Sequence, residues 1–431
     1  MDKRIFRLAF PNIISNITVP LLGMIDIAIA GHLGSVIYIG AIALASNVFN
    51  MIYWNFGFLR MSTSGFTAQA YGARNFGEAM NVLLRSLIVA IGFGLLILLL
   101  QVPIEKIAIN FIKSGPETIE NVKYYFRICV WSAPMVLGVY AFNGWFIGMQ
   151  NAKIPMVIAI INNVLNIVLS FIFVFVFDMK IKGIALGTML SQIITFIITV
   201  AFWFRYYGRL NKYINISTIF NIEALKLFSK VNSDVFVRTF MITLVTTFFT
   251  FASSGLGDTI LAVNALLMQF FALFSYFMDG FAYAGEALTG RYIGAQNQTL
   301  LWHMIKRLFF WGFIVSVASA VLYIFFPNQI LQILTDNKEV IEATKSFTFW
   351  TILIPITGFA AFLWDGIFIG ATASKEMRNA MILSAISFFI CYYATKSFLG
   401  NNALWLSFIL YLSVRALIQT LWAKKALHIK G

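Results

Sequence analysis

The stretch Ile154–Phe177 reads IPMVIAIINNVLNIVLSFIFVFVF and carries no charged side chain over 24 positions. An α-helix needs about 20 predominantly apolar residues to cross the hydrocarbon core of a bilayer, so this stretch is long enough to cross it once. Comparable apolar blocks recur along the whole chain, for example at Ile184–Phe204. The sequence therefore predicts an all-α membrane protein.

The composition fits a chain whose surface faces lipid rather than water. Of the 431 residues, 60% are hydrophobic and 11% are charged. A typical soluble domain has about 25% charged residues, so this chain lacks the charge that a fully hydrated surface requires.

The apolar blocks number twelve, six in each half of the chain, and each is predicted to form a transmembrane helix. The most polar connection, Tyr206–Ile222, lies midway between the halves. We therefore predict an N-terminal six-helix lobe at residues 1–206, a cytoplasmic linker at 207–222 and a C-terminal six-helix lobe at 223–431. The predicted spans are residues 9–31, 36–69, 80–102, 119–148, 154–177, 183–206, 224–253, 258–290, 302–326, 339–370, 377–398 and 401–423.

The two halves resemble each other at a fixed offset. Tyr71–Asn75 (YGARN) resembles Ile293–Asn297 (IGAQN), and 294 − 72 = 222. The same offset relates Arg85 to Arg307, Gly144 to Gly366, Gly148 to Gly370 and Lys153 to Lys375. Because each copy has six spans, both copies enter the membrane from the same side. This predicts two parallel-repeat six-helix lobes around a central cavity.

The formal charge of +14 could indicate a nucleic-acid partner, so the distribution of the basic residues is informative. With the N-terminus inside, the predicted cytoplasmic segments hold 19 of the 31 Lys and Arg residues, the external ends hold 8, and 4 lie within spans. The positive-inside rule accounts for this bias, so we predict that both termini are cytoplasmic and expect no nucleic-acid partner.

Ionisable groups within spans are costly and usually pair with a partner or face a cavity. Arg127 and Arg415 are predicted nearer helix ends, from which a long side chain can reach the interface. The two arginines predicted at greater depth are Arg60 and Arg238. The carboxylates at apparent membrane depth are Asp26, Asp234, Asp279, Glu286 and Asp365.

Asp26 is the sharpest of these candidates. It lies roughly five residues inside the external end of the first predicted span, with no basic residue nearby in the sequence. Burial favours the protonated form of a carboxylate, so such a group can bind and release a proton as its surroundings change. Pro20, six residues earlier, removes a backbone hydrogen bond and could let the helix bend there. The alternative is a structural carboxylate satisfied by neighbouring Asn or Thr side chains.

Two further groups have both a functional and a structural interpretation. Asp234 and Arg238 are four residues apart on one helix face, so they could neutralise each other or serve a substrate or gating role. Asp279 and Glu286 share a face with Tyr283. We expect Arg60 to be their partner across the halves, either in a functional network or in a fixed structural one.

The remaining polar candidates are neutral or lie in the second copy. Asp365 is the repeat mate of Asn143, since 143 + 222 = 365, which suggests that the two lobes have diverged in function. Asn166 in the fifth span and Thr188 in the sixth could ligate a cation or hold Asp26. Interhelical hydrogen bonding is the commoner use of such groups.

The sequence contains neither a G-x-x-x-x-G-K-[ST] phosphate-binding motif nor a metal-binding H-E-x-x-H motif. We therefore expect no enzymatic activity, no cofactor and no metal centre. Any pumping would then use an ion gradient.

Together these features resemble the multidrug and toxic-compound extrusion (MATE) family, specifically its DinF-like branch. The resemblance covers essentially the whole chain, and its motifs are specific as a set. They are Pro11–Asn16 (PNIISN) with Asp26, Phe58–Gly65 (FLRMSTSG), Asn232–Thr239 (NSDVFVRT), Asp279–Ala287 (DGFAYAGEA) and Trp364–Thr372 (WDGIFIGAT).

The resemblance implies a monomeric, multi-pass protein of the bacterial plasma membrane, in contact with lipids. It implies export of amphipathic, often cationic compounds against inward flow of H⁺ or Na⁺. Asp26 becomes the expected protonation site and Pro20 its hinge. In the family, an Asn-x-x-x-Asp pattern on the fifth span completes a cation site. Here Asn166 matches but Ser170 replaces the carboxylate, while Thr188 matches a hydroxyl position, so H⁺ is favoured over Na⁺.

Two other classes of function compete with this interpretation. A flippase for lipid-linked oligosaccharides has the same superfamily fold, but its anionic cargo favours a strongly cationic cavity. Embedded carboxylates outnumber the two central arginines here, which argues against such a cargo. A channel or receptor would not need buried carboxylates in both lobes.

Overall fold

The computed structural model describes residues 1–33, 36–112 and 114–427. All regular secondary structure within these residues is helical. The α-helices are α1 (Asp2–Gly31), α2 (Val36–Asn55), α3 (Phe58–Gly72), α4 (Phe76–Leu99), α5 (Gln101–Phe111), α6 (Pro116–Cys129), α7 (Ala133–Gly148), α8 (Lys153–Phe171), α9 (Lys180–Tyr207), α10 (Ile216–Ile219), α11 (Ile222–Ser254), α12 (Asp258–Gly294), α13 (Gln298–Phe325), α14 (Pro327–Leu334), α15 (Lys338–Thr344), α16 (Thr348–Gly370), α17 (Ser374–Leu399) and α18 (Asn401–Ala426). Short 3₁₀ segments occupy Val130–Ser132 and Gly208–Tyr213, and a π-helical turn occupies Ile172–Val176.

Twelve helical segments of the described chain are long and apolar enough to span a membrane, which confirms the predicted number and order of spans. The second and fourth segments, Ile37–Gly72 and Pro116–Gly148, are each composed of two α-helices. The tenth runs over Thr348–Gly370. It is shorter than the predicted span 339–370 because a turn interrupts the helix between α15 and α16. The protein is therefore a multi-pass membrane protein.

The chain divides into two compact units. The N-terminal unit comprises Ile14–Phe228, and the C-terminal unit comprises Met1–Ile13 together with Ser229–Gly431. The start of α1 thus groups with the second half of the sequence, and the polar connection between the halves groups with the first. The division into transport lobes at residues 206 and 223 remains a prediction.

The repeat is visible in the helix packing of each unit. A Cβ added at Gly144 on α7 would overlap the backbone oxygen of Arg60 on α3. In the C-terminal unit, a Cβ added at Gly366 on α16 would overlap the backbone oxygen of Ala282 on α12. Since 60 + 222 = 282 and 144 + 222 = 366, both units use a glycine at the same repeat position. The missing side chain lets the two helices of each pair approach closely.

The turns that follow these helices also repeat. After α3 and α12, Arg74 and Gln296 adopt positive φ values of 56° and 52°. The next residues, Asn75 and Asn297, then cap α4 and α13 by accepting a hydrogen bond from the backbone N–H three residues later. Left-handed residues often end helices, and Asn is a favoured N-cap. The similarity of YGARN to IGAQN therefore has a conformational cause.

We predict that Gly144→Ala and Gly366→Ala each destabilise the protein by about 1–3 kcal/mol, because the added methyl group meets backbone atoms that cannot move aside. Gly92→Ala on α4 is the matched control, since nothing lies within 4 Å of an added Cβ there. Thermal unfolding of the detergent-solubilised variants measures the effect. Equal unfolding temperatures for all three variants would contradict the proposed close packing.

Candidate functional site

Asp26 lies on α1 in the N-terminal unit and is only 5% exposed. Among the described residues, its Oδ1 atom has no hydrogen-bond partner. Burying a carboxylate without a partner is costly in its charged form. This side chain is therefore a natural place for a mobile proton or cation to bind.

The neutral residues predicted to accompany Asp26 form a buried group between α8 and α9. Asn166 Nδ2 donates a 2.9 Å hydrogen bond to Thr188 Oγ1. The Oδ1 atom of Asn166 and the Oγ atom of Ser170 are both buried without a partner in the described chain. The group thus offers oxygen atoms that an additional donor or cation could satisfy.

A glycine on α9 sets the spacing of this group. A Cβ added at Gly187, the neighbour of Thr188, would overlap the side chain and backbone of Ser170 on α8. The absence of a side chain at Gly187 therefore brings α8 and α9 into close contact beside the predicted ion-coupling residues.

Tyr125 on α6 connects this group to Asp26. Its hydroxyl group donates a 3.5 Å hydrogen bond to Thr188 Oγ1, and Asp26 interacts electrostatically with both Tyr125 and Cys129. Sequence reasoning missed both α6 residues. The available signal was weak: a tyrosine and a cysteine four residues apart in an otherwise apolar segment also fit an ordinary helix packing face.

Pro20 lies in α1, which continues as a helix from Asp2 to Gly31. Asn163 Nδ2 on α8 donates a 2.9 Å hydrogen bond to the backbone oxygen of Thr18, two residues before the proline. The predicted hinge is therefore tied to the same helix that carries Asn166 and Ser170.

In the C-terminal unit, Asp365 is the centre of a buried ionic cluster. Both Arg238 and Arg415 form ion pairs with its Oδ2 atom, and Gln419 Nε2 donates a 2.6 Å hydrogen bond to Oδ1. The expectation that Arg415 lies nearer a helix end and reaches the interface is wrong, since its side chain is only 4% exposed. It is drawn inward because Asp365 needs a counter-charge.

Asp234 does not neutralise Arg238, contrary to the first sequence interpretation. Its carboxylate instead forms a 2.5 Å ion pair with Arg378 and accepts a 2.8 Å hydrogen bond from Ser374 Oγ. Both partners lie on α17. The spacing of four residues allowed an intrahelical pair, but two interhelical pairs satisfy both charges and join α11 to α16 and α17.

The other predicted residues have different surroundings. Glu286 is fully buried, whereas Asp279 and Tyr283 are half-buried, and Asp279 acts electrostatically on Arg415. Arg60 lies in the N-terminal unit, so its pairing with Asp279 and Glu286 stays a prediction. Asn143, the repeat mate of Asp365, is half-buried and its Oδ1 atom lacks a hydrogen-bond partner in the described residues.

Comparison with known proteins identifies the lineage of this arrangement. The MatE family model matches residues 11–172 and 235–394. The DNA damage-inducible protein F of Escherichia coli (strain K12) is 34% identical over 427 residues, covering 98% of this chain and 92% of that protein. The probable multidrug resistance protein NorM of Thermotoga maritima is 23% identical, covering 98% of this chain and 94% of that protein.

Solved structures share the fold over nearly the whole chain. A MOP superfamily transporter from Pyrococcus furiosus superimposes with a TM-score of 0.86 at 21% sequence identity, covering 99% of this chain and 95% of that chain. The bent form of the Vibrio cholerae MATE transporter VcmN gives a TM-score of 0.84 at 18% identity, covering 99% of this chain and 96% of that chain.

We predict that Asp365→Asn lowers the free energy of unfolding by about 3–5 kcal/mol, because it leaves two buried guanidinium groups without their shared carboxylate. Glu342→Gln is the matched control, since Glu342 forms an exposed pair with Lys345 and such pairs contribute little. Thermal unfolding in detergent is the measurement. A variant at Asp365 that unfolds at the temperature of the control would show that the cluster is not structural.

Proposed function

The chain belongs to the MatE family of transporters, and on this basis we propose that it is a cation-coupled antiporter. It exports amphipathic, mainly cationic small molecules by alternating access, with H⁺ rather than Na⁺ as the coupling ion. The observation that carries the proposal is Asp26, a buried carboxylate whose Oδ1 atom lacks a partner within the described residues.

The proposed cycle uses Asp26 as the group that distinguishes two states. A proton from outside neutralises Asp26 as substrate leaves, which removes the attraction of the carboxylate for a cationic substrate. Neutral Asp26 can be accommodated beside Tyr125 and the polar groups of α8 and α9, and α1 then bends at Pro20. Release of the proton inside restores the charge. Coupling follows because proton and substrate favour different states, and a ligand with equal affinity for both would shift nothing.

The preference for H⁺ rests on the charge available in the N-terminal unit. The buried oxygens beside Thr188 belong to amide and hydroxyl groups, and Ser170 stands where the family pattern has a carboxylate. A site with Asp26 as its single carboxylate suits one proton well, because protonation neutralises it completely. A sodium ion prefers more anionic oxygen around it.

The C-terminal unit supports an exporter of cations better than a flippase of phosphate-bearing lipids. Arg238 and Arg415 share Asp365, and Arg378 is paired with Asp234. Each of these guanidinium groups already pairs with a carboxylate, which weakens its attraction for an anionic headgroup. We propose that this cluster holds the helices of the unit together rather than binding cargo.

The relatives also inform the cellular location. The bacterial counterparts of the family lead us to propose residence in the inner membrane, with both termini cytoplasmic as the positive-inside bias predicts. Lipids would then surround a monomer of the protein.

We predict that Asp26→Asn abolishes substrate-driven proton exchange, because the amide cannot take up and release the proton. The assay uses proteoliposomes loaded with ethidium, with proton and sodium gradients imposed separately. The wild-type protein should export ethidium with the proton gradient alone. Asp336→Asn, a change at an exposed carboxylate in the connection after α14, is the matched control and should behave as wild type.

Two results would refute this assignment. Undiminished export by a folded Asp26→Asn variant would remove Asp26 from the coupling mechanism. Export by the wild-type protein with the sodium gradient alone would replace H⁺ by Na⁺ as the coupling ion.

We further predict that Pro20→Ala slows export while leaving the fold intact, because the added N–H donor stiffens α1 where it must bend. Pro11→Ala, in the same helix but outside the predicted hinge, is the matched control. The initial rate of proton-driven ethidium export measures the effect. Equal rates for the two variants would place the hinge elsewhere.

A further inference from the structure

Two arginines at equivalent repeat positions contact the chain at, or just before, the start of the first helix of the opposite repeat. Arg85 lies on α4 and Arg307 on α13, and 307 − 85 = 222. The first repeat begins with α1 and the second with α11. Arg307 contacts the first turn of α1, and Arg85 contacts the segment that leads into α11. Each arginine thus contacts a segment of the other repeat, but the two contacts differ in burial and in the groups that they bond.

The side chain of Arg85 is buried, and each of its three nitrogen atoms donates a hydrogen bond. Its guanidinium group donates to the backbone oxygens of Ile219 at 2.8 Å and Thr218 at 2.7 Å, and to Glu78 Oε1 at 2.6 Å. Asn81 Nδ2 adds a 3.0 Å bond to Thr218 Oγ1. The two carbonyl groups end α10, where a helix leaves acceptors unsatisfied. We call this contact the α11 anchor.

The Arg307 contact is an exposed ion pair. Its Nε atom donates to Asp2 Oδ1 at 2.8 Å, and its Nη2 atom pairs with Oδ2. The side chains of Arg307 and Asp2 are 37% and 36% exposed, whereas that of Arg85 is 3% exposed. We call this contact the α1 latch.

These differences decide which contact can open. Exposed ion pairs contribute little to stability and are weakened by salt. Removing the partners of a buried guanidinium group is strongly destabilising, because it leaves a buried charge without compensation. The α1 latch can therefore open and close during a transport cycle, whereas the α11 anchor stays closed as long as the unit is folded.

The helices α11 and α1 also differ in their proline content and in the pairing of their buried charged groups. α11 contains no proline, and its buried Asp234 and Arg238 pair with residues of α17 and α16. α1 contains Pro20 and carries Asp26, whose Oδ1 atom has no partner among the described residues. The helix whose first turn meets its repeat-related arginine in an exposed ion pair is thus also the helix that contains Pro20 and Asp26.

We propose that the Asp2–Arg307 pair is a releasable latch on α1 and that Arg85 is a permanent anchor for α11. The conformational change then begins at one helix only, although the repeat supplies two equivalent arginines. The consequence for export rests on the proposed antiport function, whereas the opening of the latch is a property of the chain itself.

The first experiment tests opening without reference to transport. Spin labels are placed at the exposed pair Lys3→Cys and His303→Cys, and separately at the exposed pair Ala73→Cys and Phe220→Cys. Both use a Cys391→Ala background, and Cys129 is retained because it is buried. Distance distributions are measured by electron paramagnetic resonance in lipid nanodiscs from pH 5 to pH 8. The first pair should give two populations, and the second a single narrow one.

The latch controls the first distribution if Asp2→Asn, added to that pair, shifts it toward the longer distance. A single narrow distribution for the first pair under all conditions would overturn the proposal. Two populations in the distance distribution of the second pair would also overturn the proposal, because the α11 anchor would then open as well.

The second experiment tests the consequence for export. A short bis-methanethiosulfonate reagent cross-links Asp2→Cys to Arg307→Cys, and separately Asn81→Cys to Thr218→Cys, in proteoliposomes loaded with ethidium. The first cross-link should stop proton-driven export until a reductant cleaves it, and the second should leave export unchanged. Full export with the first cross-link in place would show that the latch need not open. If the wild-type protein exports nothing under the same conditions, the proposed antiport fails, while the distance measurements still decide whether the latch opens.

Discussion

A charged side chain in the hydrocarbon core has no water to solvate it, so its stability depends on the partners that the protein itself supplies. This constraint accounts for most of the polar structure described above. Asp365 is bonded to two arginines and a glutamine, and Asp234 is bonded to an arginine and a serine. Asp26 is different, because its Oδ1 atom finds no partner in the described part of the chain. This difference is the reason that we propose Asp26 as the site of proton exchange.

The sequence was sufficient for the fold because hydrophobic length and repetition are local properties. The twelve spans and the offset of 222 follow from them, whereas the resemblance to the family rests on specific motifs such as Pro11–Asn16 and Asp279–Ala287. The close approaches at Gly144 and Gly366 occur at positions that the repeat relates. Partner choice was not predictable in the same way. Helical periodicity identifies neighbours on one helix, so it suggested Asp234 with Arg238. It contains no information on how α11 packs against α16 and α17, where the actual partners lie.

The depth of a residue was similarly hard to predict. Arg415 was placed near a helix end by counting along the sequence, yet it is buried because Asp365 on another helix attracts it. Tyr125 and Cys129 were missed because α6 reads as an ordinary apolar helix. Their proximity to Asp26 depends on packing between α1 and α6, which no spacing along the chain reports. Asn166 and Thr188 were visible in the sequence as polar residues within apolar spans that could hold Asp26 or a cation, and the family pattern added Ser170 to them.

The two halves are related by the repeat, but their buried charged residues have different partners. In the C-terminal unit, carboxylates pair with arginines and connect α11 to its neighbours. In the N-terminal unit, the residues beside Asp26 are instead Tyr125 and the amide and hydroxyl groups of Asn166 and Thr188. Helix attachment follows the same division, since Arg85 holds the approach to α11 through buried carbonyl groups, whereas Arg307 holds α1 through an exposed carboxylate. A pair of equal helices would give the chain no preferred place to begin a movement. The unequal burial of two repeat-related arginines supplies that preference, and it selects the helix that carries both the proline and the titratable carboxylate.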